Sequence, residues 1–143
     1  MHPFILSLTL GLALTAGCAA TEQQAADRPA DQPRAAANAP YQNVSVEEAR
    51  RLVEANPGLT VLDVREPHEF AEGHVPGARN LPLGQLDTWA PTLDATKPYL
   101  VVCRSGARSA QASAQLAERQ FKGITNMTGG MLDWQGRNYP TER

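Results

Sequence analysis

The residues Cys103, Arg104, Ser105, Gly106, Ala107, Arg108 and Ser109 follow one another and bring together a thiol, a glycine and two guanidinium groups. A short loop of this kind, opening into a helix, turns several backbone N–H groups toward a common centre, and the positive end of the helix macrodipole reinforces them. An anion is favoured there. Cys103 is the candidate anion, because a cysteine beside arginine and a helix amino terminus is favoured as its thiolate, the nucleophilic form. Arg104 and Arg108 place positive charge on either side of it. A cysteine at a strand end can also be a small buried hydrophobe, but the glycine and the two arginines point to chemistry instead.

The flanking residues say how such a loop is held. Tyr99-Leu100-Val101-Val102, bounded by Pro98, is apolar and partly β-branched and predicts a buried strand of a parallel sheet. Ser109 then opens Ala110 to Arg119, a run of strong helix formers. The cysteine is thus expected on a loop between a strand's carboxyl end and a helix's amino end, where open α/β sheets place their ligands. Spacing narrows the chemistry. Cys103 and Arg108 have four residues between them, whereas cysteine phosphatases place five between nucleophile and phosphate-binding arginine. A shorter loop makes a cradle sized for one sulfur atom and too tight for a tetrahedral phosphoryl group. Cys103 to Ser109 resembles the active loop of single-domain rhodaneses, the thiosulfate-type sulfurtransferases.

A second stretch, Asp63-Val64-Arg65-Glu66-Pro67-His68-Glu69-Phe70-Ala71-Glu72-Gly73-His74-Val75-Pro76-Gly77-Ala78-Arg79-Asn80-Leu81-Pro82, resembles the amino-terminal signature of rhodanese-like domains. Asp63 at a strand's end and Arg65 two places on can pair and brace the loops above the sheet. Glu69, on a short helix after Pro67, can receive an arginine of the active loop. These three residues are expected to hold Arg108 and the cradle rather than to transfer protons. In this family the histidine at the position of His74 is mainly a packing residue. One domain cysteine and scattered histidines give no metal-ligand spacing, so no metal site is expected.

The remaining elements follow in order. Asn43-Val44 suggests a first strand, and Ser45-Val46-Glu47-Glu48 is a capping-box pattern opening a helix to Ala55 that Asn56-Pro57-Gly58 ends. Leu59 to Val64 is the next strand, and a strand-helix-strand order implies a parallel crossover. Arg79-Asn80 should be a third strand, Leu83 to Leu93 a loose helix broken by Pro91, and Ile124 to Met127 the last strand. Trp89 and Trp134 are expected in the core. Thr128-Gly129-Gly130-Met131-Leu132-Asp133-Trp134 resembles the family's carboxyl-terminal signature, its two glycines permitting a tight turn near the active loop.

The resemblance spans residues 41–143, and it implies an α/β three-layer sandwich with a five-stranded parallel sheet flanked by helices. It implies a sulfurtransferase without cofactor, in which Cys103 takes a sulfane sulfur from thiosulfate or a related donor and passes it to cyanide or a thiol. A non-turnover sulfur carrier or protein-binding module at the cell envelope is the alternative. A thiol redox protein is disfavoured because Cys103 has no resolving cysteine in the domain. A net charge of −2 with scattered charges offers no basic face for nucleic acid. The absence of internal repeats excludes a tandem two-domain arrangement.

The amino-terminal residues are of another kind. Pro3 to Gly17 is apolar and short for a bilayer span, and Leu14-Thr15-Ala16-Gly17-Cys18 resembles a bacterial lipobox. Residues 1–18 are therefore expected to be a signal whose Cys18 is lipidated, with ordinary cleavage or an uncleaved anchor as alternatives. Ala19, where Asp would retain the protein at the inner membrane, points to an outer-membrane lipoprotein on the periplasmic side. Residues 19–40, rich in Ala, Gln, Asp and Pro, cannot bury enough apolar surface to fold and should form a disordered tether. Export would place an exposed Cys103 thiolate in an oxidising compartment, where it needs protection, or a reducing or sulfur-accepting protein partner.

Overall fold

The computed structural model describes residues 40–143; the expectations for the signal, for Cys18 and for the tether up to residue 39 lie outside the described residues. Five strands, β1 (Gln42–Val44), β2 (Thr60–Asp63), β3 (Arg79–Asn80), β4 (Pro98–Val102) and β5 (Gly123–Met127), form one parallel sheet in the order β1-β5-β4-β2-β3. Helices α1 (Val46–Ala55), α2 (Pro67–Glu72), α3 (Leu86–Trp89), α4 (Ala107–Glu118) and α5 (Gly130–Gly136) connect or follow them. This is the three-layer parallel α/β arrangement that the chain's patterning and its resemblance imply.

Alternation along the strands sorts the core into two layers. Leu62, Tyr99, Val101 and Ile124 pack with Ala112 and Leu116 of α4 and with Leu86 and Trp89 of α3. Val61, Leu100, Val102 and Met127 pack with Val46 and Ala49 of α1 and with Met131 and Trp134 of α5. Cys103, two residues past Val101, belongs to the α4 layer, so its side chain is delivered to that helix's amino end. Register completes the placement: Asp63 lies opposite Val102 in β4, and Val101 opposite Asn126 in β5. The ends of β2, β4 and β5 therefore open on one edge.

Local chemistry sets the element ends. The Ser45 hydroxyl accepts from the Glu48 N–H at 3.3 Å and starts α1, and the Asn56 side chain donates to the Leu52 carbonyl at 2.9 Å at its end. Two expectations change. The helix after the active loop begins at Ala107 rather than at Ser109, because Gly106 adopts φ +96° and makes the turn without a side-chain cap. Arg108 and Ser109 consequently sit in its first turn. The expected helix over 83–93 is divided: α3 is a single turn between the tighter 3-10 turns Leu83–Gln85 and Ala90–Thr92, the second containing Pro91. Trp89 and Trp134 are buried, and their indole N–H groups donate to the Pro82 and Pro140 carbonyls.

Candidate active site

Cys103 directly follows β4 and its Sγ faces the turn into α4. The Gly106 N–H donates to Sγ at 3.1 Å, and the Ser109 hydroxyl lies 3.3 Å from it. Several main-chain amides were expected on the sulfur; Gly106 supplies one at bonding distance and a side-chain hydroxyl supplies the other contact. The N–H groups of Ala107, Arg108 and Ser109 occupy the first turn of α4, where no intrahelical acceptor exists. Cys103 is only 1% exposed, so the open thiolate expected from the sequence is instead sunk beneath its loop. Arg104, Ser105 and Ala107 form the exposed rim.

The loop is fastened from behind by α5. Met131 N–H donates to the Cys103 carbonyl at 2.9 Å and Leu132 N–H to the Arg104 carbonyl at 3.0 Å. With these oxygens engaged by α5, the turn leaves the Gly106 amide for the sulfur. The approach requires Gly130: a β-carbon there would come within 2.5 Å of the Cys103 carbonyl oxygen, and its φ is +60°. In the sequence the two glycines signal a turn, and neither the helix they open nor its two donors is visible there. Gly-Gly followed by the apolar pair Met131 and Leu132 was the signal available.

The two arginines of the loop take different roles. Arg108 forms a two-pronged bond with Glu69, Nη1 to Oε2 at 2.8 Å and Nη2 to Oε1 at 2.7 Å. This bond holds the Glu69 carboxyl down at about 2, against the opposing effect of burial and with help from the Glu66 N–H and the charge of Arg65. The same bond, more than any other contact, raises Arg108 above the usual guanidinium range. Arg104 is exposed and forms no ion pair among the described residues.

Asp63 and Arg65 lie one step further back. Arg65 Nη2 donates to Asp63 Oδ2 at 2.6 Å and to the Gly73 carbonyl at 2.9 Å, and Nε reaches both carboxylate oxygens. Both residues are buried. Neither hydrogen-bonds to Arg108; they tie the end of β2 to Gly73, at the end of the helix that carries Glu69. The Asn80 amide adds bonds to the Asp63 and Arg65 carbonyls at 3.1 and 2.8 Å. His74 is stacked on Phe70 at 3.6 Å between ring centres, its Nδ1 lies 3.0 Å from the Phe70 carbonyl oxygen, and its backbone pairs with Glu142. Those contacts make His74 a packing residue. No group of three metal-ligating side chains lies together among the described residues.

A parallel α/β sandwich that carries a cysteine in a tight strand-to-helix loop, backed by a glutamate-arginine clamp, defines a class. Residues 45–137 match the Rhodanese-like domain, and the chain belongs to that family. It is 38% identical over 97 residues to YtwF of Bacillus subtilis, covering 68% of this chain and 93% of that protein. It is 30% identical over 102 residues to the thiosulfate sulfurtransferase GlpE of Stutzerimonas stutzeri, covering 71% and 91%. Among solved structures, the polysulfide-sulfur transferase homodimer of Wolinella succinogenes is 35% identical with a TM-score of 0.63, over 73% of this chain and 80% of that one. The coverage is uneven: the chain spans 51% of the length of YrkF of Bacillus subtilis, another relative.

Proposed function

We propose that this protein is a sulfurtransferase that carries sulfane sulfur as a persulfide on Cys103, with thiosulfate or a chemically similar anion as donor. The observation that carries the reading is the pair of donors on Sγ, the Gly106 N–H at 3.1 Å and the Ser109 hydroxyl at 3.3 Å, in a loop too short to ring a phosphoryl group. Family membership supports it, as do the names of GlpE and of the Wolinella transferase.

In the loading step the Cys103 thiolate attacks the outer sulfur of thiosulfate. A bond forms between Sγ and that sulfur, the sulfur-sulfur bond of the donor breaks, and sulfite leaves with the electron pair. The product is a persulfide whose charge lies on the outer sulfur. From a buried Sγ this outer atom projects toward the first-turn amides of α4, which are placed to stabilise it. In the discharge step cyanide or a thiolate attacks the outer sulfur, and the electron pair returns to Sγ. Arg104, at the rim and without an ion pair among the described residues, attracts the dianionic donor. Arg108, held by Glu69, shapes the cradle and adds positive potential without leaving its place.

Thiocyanate formation from thiosulfate and cyanide tests this reading. The wild-type protein should turn over, and Cys103→Ser should form none while keeping its melting temperature within a few degrees. Turnover by Cys103→Ser, or hydrolysis of para-nitrophenyl phosphate in place of sulfur transfer, would contradict it. The amino-terminal sequence supports a further part of the proposal, that the domain is exported and held at the outer membrane through lipid on Cys18. Radiolabelled fatty acid should then enter the wild-type chain and not Cys18→Ser.

A further inference from the structure

Ser109 is fully buried, and its hydroxyl has one hydrogen for two acceptors, the Gly106 carbonyl oxygen at 3.1 Å and Cys103 Sγ at 3.3 Å. The carbonyl does not depend on it, because the Ala110 N–H also donates to that oxygen at 3.1 Å as α4 closes its first turn. The sulfur has less to fall back on. Among the described residues its hydrogen bonds come from the Gly106 amide and from this hydroxyl.

We propose that Ser109 is a catalytic residue of the discharge step, its hydroxyl hydrogen passing from the Gly106 carbonyl to Sγ as the acceptor removes the outer sulfur. The inference rests on the persulfide reading above. While the persulfide stands, Sγ is bonded to Cβ and to the outer sulfur, and the negative charge lies on the outer atom. Attack by cyanide forms the carbon-sulfur bond of thiocyanate, breaks the bond between Sγ and the outer sulfur, and returns the electron pair to Sγ. Charge therefore grows on the atom that Ser109 faces. Hydrogen bonds to ionised acceptors are stronger than those to neutral ones, so the hydroxyl gains by turning to Sγ as the reaction proceeds. An interaction that strengthens toward the transition state lowers the barrier. Loading behaves in the opposite sense: there the thiolate is present at the start and loses charge, so the same bond gives no acceleration. The two half-reactions thus separate this role from a structural one.

The experiment uses single-turnover mixing with acid quench and intact-mass readout on the full chain. Wild type, Ser109→Ala and Ser109→Thr are loaded with thiosulfate, freed of donor and mixed with cyanide. Ser109→Ala should load no more slowly than wild type and discharge about tenfold more slowly, the effect of one hydrogen bond to a charged group. Ser109→Thr, which keeps the hydroxyl, should discharge at close to the wild-type rate. Discharge of Ser109→Ala at the wild-type rate overturns the proposal, and so does equal slowing of both steps, the mark of a disturbed fold. A wild-type protein that never acquires sulfur overturns the transfer reading and this inference with it.

Discussion

At the scale of single residues, the site divides its positive charge between one arginine that is engaged and one that is not. Arg104 stands at the rim without an ion pair among the described residues, so its contribution should be to the capture of a charged donor. Arg104→Ala is expected to raise KM for thiosulfate several-fold and to raise it less for an uncharged sulfur donor, which steady-state kinetics with both donors will show. Arg108 is engaged by Glu69, and Glu69→Gln removes the charge from that bond while keeping the side chain's shape. The variant should lose about 1.5–3 kcal/mol of stability near neutral pH, the range for hydrogen bonds to charged groups. The pH dependence has a definite sign. The Glu69 carboxyl is depressed from 4.5 to about 2 in the folded chain. Its contribution is therefore complete above 4.5 and is lost as pH falls toward 2. Denaturation of wild type and Glu69→Gln across that window should converge at the acid end; a constant difference would separate the clamp from stability.

At the scale of elements, the loop from Cys103 to Ser109 is held because two turns lock together. Gly106 and Gly130 both have positive φ, and a β-carbon on Gly130 would strike the carbonyls that Met131 and Leu132 hold in place. Gly130→Ala should thus lower both stability and sulfur transfer, by at least about 1–3 kcal/mol for the strained backbone. Gly84→Ala, whose β-carbon meets nothing within 4 Å, should do neither. Thermal melts and thiocyanate formation measured on the pair will check this. The strands and the helix at Ser45 were legible because their signals are local: β-branched runs, a capping hydroxyl, an Asn-Pro-Gly stop. The start of α4 was not, because Gly106 in the left-handed region does the work that a polar cap does elsewhere, and Ser109 resembles a cap while serving the sulfur. The helix α5 was missed for a related reason. Its glycines advertise a turn, and what makes the turn useful is a pair of bonds to carbonyls far away in sequence.

At the scale of the whole molecule, one sheet separates two apolar layers, and the central strand supplies both of them and leads directly into Cys103. Leu100 is fully buried in the layer opposite Cys103. Leu100→Ala should cost about 2–5 kcal/mol in chemical denaturation, while the protein that remains folded should still load sulfur at the wild-type rate. The fold, and the place of Cys103 at the end of the central strand, were readable in the chain because signature order and strand pattern agree with each other. The burial of Cys103 was not, because a loop rich in arginine and serine suggests solvent, while its sulfur takes its direction from the alternation that also turns Val101 inward. That burial bears on the proposed chemistry: a sulfur 1% exposed beneath its loop leaves room for the end of a slender donor and not for a bulky one. The most direct measurement is therefore the mass of the protein after exposure to thiosulfate, followed by mapping of the modified peptide. The account predicts the addition of one sulfur atom on the peptide containing Cys103, removed again by cyanide; an unchanged mass, or sulfur on any other residue, would contradict it.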